Sequence, residues 1–247
     1  MPDGFAGAAG RTGASDMSAP GPLRNAVIAL LAIAGIGGGV VVVAPVALEQ
    51  YREDSYLMLI AQDEDTAPEV KIGMVLAAYY ESGFRVRQVP YRDELSAARP
   101  WTVCNGVTDA GMPRGFPAIN PARSYSLAEC YRIERALFIG YADTLPRYVP
   151  TWGQASAWQR ATVLDFVHHF GIGAFAGSTM RRKASAGDWP GACDEHARWK
   201  YTTLPSGVKT ILAGLETRAD ANVDICRWTL PVLPTAGVFV EGFEEAA

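Results

Sequence analysis

Two carboxylates frame the chemistry that this chain can do. Glu81 closes the apolar run "MVLAAYYE", and Asp93 stands beyond the basic, proline-bearing stretch "FRVRQVPYRD". A carboxylate in the last turn of a helix faces the negative end of the macrodipole, and Tyr79, Tyr80 and Phe84 can strip water from it. Both effects raise its pKa, so Glu81 is expected to keep its proton near neutrality. Asp93, on a polar turn beside Arg92, is expected to stay ionised. An acid and a charge stabiliser in unlike environments are what glycoside cleavage requires. Spacing alone equally fits two surface carboxylates.

The surrounding pattern supplies the elements that must position them. Thr66-Ala67-Pro68-Glu69 reads as a capping box with an early proline, which predicts a helix over 67–82 that stops at Gly83. Val, Tyr, Trp and Thr interrupted by Pro90, Pro100 and Gly106 predict a small strand and hairpin region over 84–108, and residues 109–125 read as a Gly- and Pro-rich loop. Ser126-Leu127-Ala128-Glu129 is a second capping box, opening a helix to about residue 143. Further helices are expected over 155–170, ended by Gly171, over 178–186, from Pro190 to Trp199, and over 206–225. The fold class is α+β, mainly helical with a small β-hairpin region.

The chain carries a net charge of −4 over 247 residues, and the charge is unevenly placed. Residues 1–65 hold 3 basic and 8 acidic side chains, whereas 66–228 hold 19 basic and 15 acidic. This basic excess on the folded part would suit an anionic polymer such as nucleic acid or bacterial wall, but one so small equally fits a solvated surface, and no nucleic-acid partner is expected. Between Arg24 and Glu49 lie 24 uncharged residues, "NAVIALLAIAGIGGGVVVVAPVAL". As a helix they would reach about 36 Å, enough for a hydrocarbon core of about 30 Å. Six Ala, four Gly and Pro45 dilute twelve Leu, Ile and Val, which makes the segment a marginal anchor. The domain boundaries are a cytoplasmic tail at 1–24, a transmembrane segment at 25–48, an acidic linker at 49–65, a catalytic domain at 66–228 and a flexible tail at 229–247. Arg11 and Arg24 before the segment against Arg52 after it place the N-terminus in the cytoplasm and the domain in the periplasm. Cys104, Cys130, Cys193 and Cys226 are an even number in an oxidising compartment, so two disulfides are expected, with three connectivities open from spacing. His168, His169 and His196 with Cys193 do not make a zinc site, because adjacent histidines point in different directions; neither a metal nor a cofactor is expected. Trp152, Trp158, Trp189 and Trp199 are divided between core packing and sugar stacking.

"PWTVCNGVT" (100–108), "SLAEC" (126–130), "GIGAFAGSTMRRKASAGDWPGACDE" (171–195), Arg198-Trp199 and "GLETRADANVDIC" (214–226) resemble, in order, the phage-type lysozymes of glycoside hydrolase family 24. The chain looks most like endolysins with an N-terminal signal-arrest-release segment. The resemblance implies a muramidase that cuts the β-1,4 bond between N-acetylmuramic acid and N-acetylglucosamine, with peptidoglycan as substrate and a monomer as the working unit. It assigns the catalytic set to Glu81, Asp93 and Thr102, with Thr102 helping to hold a water. Arg218 and His169 become supporting residues, Arg218 as a partner of Glu81 and His169 where the family commonly has Asn. The implied disulfides are Cys104 with Cys130 and Cys193 with Cys226. Eleven residues separate Glu81 from Asp93 and eight separate Asp93 from Thr102, each interval longer than in the family pattern. Glu94 is therefore a rival to Asp93, and Glu69 a weaker rival to Glu81. The alternative function is a membrane-tethered peptidoglycan-binding protein without catalysis.

A Gly- and Ala-rich anchor loses little on leaving lipid, so release from the inner membrane into the periplasm would act as an activating switch. Replacing Gly37, Gly38 and Gly39 with Leu is expected to hold the protein in membrane pellets and delay lysis. Release and lysis timing equal to those of the parent would contradict this.

Overall fold

The computed structural model describes residues 56–93, 99–203 and 208–228. The expected tail, the apolar segment 25–48, residue 94 and the C-terminal stretch 229–247 lie outside the described residues. Within the described part no helix is long and apolar enough to cross a membrane.

The chain enters through α1 (Tyr56–Gln62) and α2 (Pro68–Ser82). Residues 56–62 fall in the stretch expected to be an acidic linker, yet Tyr56, Leu57, Ile60 and Ala61 are buried in the main core. The apolar run "YLMLIA" is the reason: about two helical turns bury Tyr56, Leu57, Ile60 and Ala61, while Glu64 and Asp65 after them stay exposed. Thr66 does not cap α2. Its hydroxyl donates to Asp63 Oδ2 at 2.6 Å, α2 starts at Pro68 without a side-chain cap, and Glu69 pairs with Arg160 at 3.1 Å. The helix ends as expected, at Gly83 in the left-handed conformation (φ 58°).

A three-stranded antiparallel sheet follows, of β1 (Arg87–Arg92), β2 (Trp101–Cys104) and β3 (Val107–Thr108), in the order β1-β2-β3. Tyr91 stands opposite Thr102, and Thr102 opposite Thr108. The register shifts between Arg87 and Tyr91, the stretch that holds Pro90, which has no amide proton for the ladder. The long helix α3 (Leu127–Thr144) opens with the expected capping box, since Ser126 Oγ accepts from the Glu129 amide while the Glu129 carboxylate accepts from the Ser126 amide. Helix α4 (Ala157–Gly177) opens with a second box, of Ser156 and Gln159. Its first part stops at Gly171 as expected, where the backbone leaves the helical region at φ 82° and ψ 157°, and a second helical part runs on from this bend to Gly177.

Helices α5 (Thr179–Ser185) and α6 (Trp189–Asp194) are short, α6 running on as a 3-10 turn to Arg198. The helix expected over 206–225 begins only at Ala213, as α7 (Ala213–Cys226), because Lys209–Ile211 form β5, paired antiparallel with β4 (Tyr201–Thr203). Thr210 and Ile211 are β-branched, and a strand holds them without the χ1 crowding of a helix. Disulfides join Cys104 to Cys130 and Cys193 to Cys226, the two pairs that the family resemblance implied. The main core packs α1, α2, α3, α4 and the Trp152–Trp189 pair around Trp158, Phe138, Phe166 and Phe175, while a satellite core of Val103, Val107, Ile119, Tyr125 and Ile133 sits beneath the sheet. Trp152, Trp158 and Trp189 are therefore core residues.

The bend in α4 rests on a backbone geometry that only glycine adopts cheaply, and a Cβ there would meet no other atom within 4 Å. Gly171→Ala therefore isolates the conformational term, about 1–3 kcal/mol. Its expected result is a drop in Tm of roughly 2–10 °C by calorimetry, and an unchanged Tm would contradict the account of the bend.

Candidate active site

The site is assembled where α2 ends, the sheet begins, and α4 and α7 pass behind. Glu81 lies in the last turn of α2 because Gly83 stops the helix there. Its Oε1 accepts from Arg218 Nη1 at 2.6 Å and stands 3.1 Å from His169 Nδ1. Arg218, on α7, is only 5% exposed and is shared: Nε and Nη2 donate to the two oxygens of Asp165 at 3.0 and 2.7 Å. Asp165 is fully buried on α4 and also accepts from Asn222 Nδ2 at 2.7 Å. One guanidinium thus bridges a buried carboxylate and a cleft carboxylate.

This arrangement reverses the expectation for the Glu81 proton. Burial pushes its carboxyl up, but the His169 hydrogen bond and the Arg218 charge outweigh burial and hold it well below the ordinary carboxylate range. The sequence shows the helix end and the neighbouring rings, not the cation that α7 carries in from 137 residues away. These partners favour the ionised form of Glu81 at neutral pH. Because its folded value lies below the unfolded one, its pairing stabilises the fold at neutral pH, and that contribution is lost as pH falls through the folded value.

A proton count around His169 adds to this. Nδ1 lies 2.9 Å from Arg218 Nη1 and 3.1 Å from Glu81 Oε1. An ionised carboxylate only accepts and a guanidinium only donates, so Nδ1 satisfies one of the two at a time. With a proton it serves Glu81; without one it accepts from Arg218 or from a protonated Glu81.

Glu81, Tyr91, Asp93, Thr102, Gly106 and His169 line a single cleft of about 860 Å³, with Ala136, Gly140 and Tyr141 of α3 on its far wall. The structure therefore brings Glu81, Asp93, Thr102 and His169 together in one hollow, with Arg218 immediately behind. Asp93 directly follows β1, and its amide donates to the Pro100 carbonyl at 3.2 Å. Thr102 is 3% exposed, and its hydroxyl reaches the Pro100 carbonyl at 3.4 Å. Glu69, the rival to Glu81, is engaged with Arg160 away from the cleft; Glu94 lies outside the described residues. Trp199 packs edge-on against Phe166 rather than in the cleft. Among the described residues no group of His, Cys, Asp and Glu is placed to hold a metal ion.

Sequence reasoning passed over Asp165 and Gly106. Asp165 carries a readable signal, a lone acid inside the apolar run "ATVLDFV", which is tolerated only with a buried partner. Gly106, in the left-handed region at φ 86°, lets the chain pass close to the acid. A Cβ there would stand 3.3 Å from Glu81 Cδ and Oε2 and from His168 Nε2.

Removing the guanidinium strands Asp165 in the interior, a class of change that costs about 3–5 kcal/mol. Arg218→Met is expected to lower Tm by at least about 6 °C in thermal unfolding at neutral pH. A shift of under about 2 °C would show that the buried pair contributes little.

The phage lysozyme family model matches residues 81–222 of this chain, a span that holds the whole cleft. The sequence is similar to the SAR-endolysin of Enterobacteria phage PA-2, 29% identical over 211 residues that cover 85% of this chain and 98% of the relative. The SAR-endolysin of Bacteriophage PS119 is 33% identical over 143 residues, covering 58% and 75%. The fold is shared with the muramidase domain of SpmX from Asticcacaulis excentricus, at TM-score 0.53 and 17% identity over 63% of this chain and 95% of that one. It is also shared with the active form of P1 phage endolysin Lyz, at TM-score 0.51 and 14% identity over 77% and 96%. With the helices, the small antiparallel sheet and the cleft between them in place, the chain belongs to the phage lysozyme family.

Proposed function

We propose that the protein is an endolysin muramidase that hydrolyses the β-1,4 bond between N-acetylmuramic acid and N-acetylglucosamine in peptidoglycan, for host lysis. The observation that carries this reading is the single cleft lined by Glu81, Asp93 and Thr102 in a chain of this family. Glu81 is the general acid that protonates the glycosidic oxygen as the bond to the anomeric carbon breaks. Asp93 stabilises positive charge at that carbon or orients the attacking water, and the Thr102 hydroxyl holds the water. Since Arg218 and His169 favour its ionised form, Glu81 takes up its proton once saccharide covers it. A sugar covering the carboxyl adds to burial, already the largest single influence on it and the one that favours the neutral form. His169 with its proton on Nδ1 stands within reach of the same oxygen.

Residues 25–48 are proposed as the anchor that holds the domain at the inner membrane, on the periplasmic side, until release; the SAR-endolysin names of the relatives support this reading. The folded unit then runs from residue 56, rather than 66, to residue 228, and works as a monomer.

The decisive assay incubates the oxidised protein and its Glu81→Gln variant with purified peptidoglycan. New reducing N-acetylmuramic acid ends are expected from the parent, with a loss of about 10²–10⁴-fold in the variant. Binding without cleavage by the parent would select the tethered wall-binding protein instead.

A further inference from the structure

Behind the cleft lies a second carboxyl that the proposed reaction does not use. Glu134, on α3, is completely buried. Its Oε1 accepts from the Asn105 amide at 2.7 Å, and its Oε2 accepts from Asn105 Nδ2 at 3.0 Å and hydrogen-bonds the Tyr56 hydroxyl of α1. The position faces inward with Cys130, Ile133, Leu137 and Phe138, so packing alone calls for an apolar residue. A polar group at such a site is costly unless its partners use it.

What it holds is the turn between β2 and β3. Asn105 is itself fully buried; its Oδ1 accepts from Ser82 Oγ at 2.7 Å, and its carbonyl accepts from His168 Nε2 at 2.7 Å. Ser82 is the neighbour of Glu81 in sequence, and Gly106, the next residue of the turn, abuts the Glu81 carboxyl. The turn is also strained: Cys104 bears a side chain at φ 59°, a conformation that persists only where its surroundings over-determine it. Two groups on α3 supply that constraint. Cys130 bonds Cys104 covalently, and Glu134, four residues on and so on the same helix face, grips Asn105.

We infer that Glu134 is a positioning residue for the muramidase reaction, clamping the Cys104–Asn105 backbone so that Thr102 and Gly106 stand in register with Glu81, with Tyr56 completing the clamp. The inference rests on the roles proposed above for Glu81 and Thr102. The clamp survives titration of Glu134, whose carboxyl burial pushes up to about 7. When ionised it accepts all three hydrogen bonds. When protonated on Oε2 it donates to the Tyr56 oxygen and still accepts both bonds from Asn105. A glutamine cannot do this, because its amide nitrogen must face one of the two Asn105 donors.

The test measures kcat and KM on soluble peptidoglycan fragments for the oxidised protein and its Glu134→Gln, Tyr56→Phe and doubly substituted variants, well below each Tm, with Glu81→Gln as a control. Glu134→Gln is expected to lower kcat about tenfold or more, with KM changed less than about threefold, the pattern of a misplaced site rather than of lost binding. Tyr56→Phe, which keeps the ring in the core, should lower kcat about two- to fivefold, and the double variant should fall short of additivity. A Glu134→Gln protein with a lower Tm but an unchanged kcat would overturn the inference and leave a purely structural role. So would an effect confined to KM. Should Glu134→Gln not fold, an unchanged kcat in Tyr56→Phe overturns it equally. Full activity in Glu81→Gln would sink the site assignment and this inference with it, whereas loss there with no effect at Glu134 would sink the inference alone.

Discussion

A buried guanidinium has to be paired, and that requirement organises this protein. Arg218 leaves α7 into the interior, takes both oxygens of Asp165 on α4 and turns its remaining edge to Glu81 at the end of α2. Three helices distant in sequence meet at one cation. Charge-assisted, bidentate contacts of this kind specify geometry as well as energy. The same cation fixes the state of the cleft, because it keeps Glu81 ionised against burial. In the proposed mechanism the general acid is thus held without its proton until saccharide covers it.

The hairpin side of the cleft is held by different means. The strained Cys104 and the glycine two residues later bring backbone, rather than side chain, up to Glu81. A disulfide and the Glu134 network anchor that backbone to α3 from behind. Glu81 therefore stands between a fixed charge and a fixed turn. The sheet register carries the second constraint onward: Thr102 is opposite both Tyr91 and Thr108, so a shift of the turn would carry the proposed water-holding hydroxyl with it. Helix α1 adds its own tie through Tyr56, which joins the chain segment nearest the expected anchor to the rear of the site.

The parts legible in the sequence are those encoded locally. The capping box at Ser126, the stop of α2 at Gly83 and the strand-rich character of 84–108 follow from residue types a few positions apart. The capping box at Thr66 does not form because its hydroxyl oxygen accepts from Arg135 Nε at 2.6 Å, rather than from an α2 amide, while its proton goes to Asp63. Helix α7 starts later than the pattern over 206–225 suggests because β4 recruits Lys209–Ile211 as a strand. The largest miss, the Glu81 proton, is non-local by nature: helix dipole and aromatic neighbours are visible in "AAYYES", whereas Arg218 and His169 arrive from elsewhere in the chain. Glu134 was overlooked, although its spacing of four from Cys130 places an acid on the apolar face of α3, a conflict that the sequence displays openly.

The charge of the Glu81 side chain, with and without saccharide bound, is directly observable. Carbon-13 NMR of the Glu81 carboxyl, titrated in the free protein and again with a bound, uncleaved peptidoglycan fragment, reads it. The predicted result is a titration below the ordinary carboxylate range in the free protein and a clear upward shift on binding. A Glu81 that titrates at or above that range in the empty cleft, or that does not move when saccharide binds, would contradict the account.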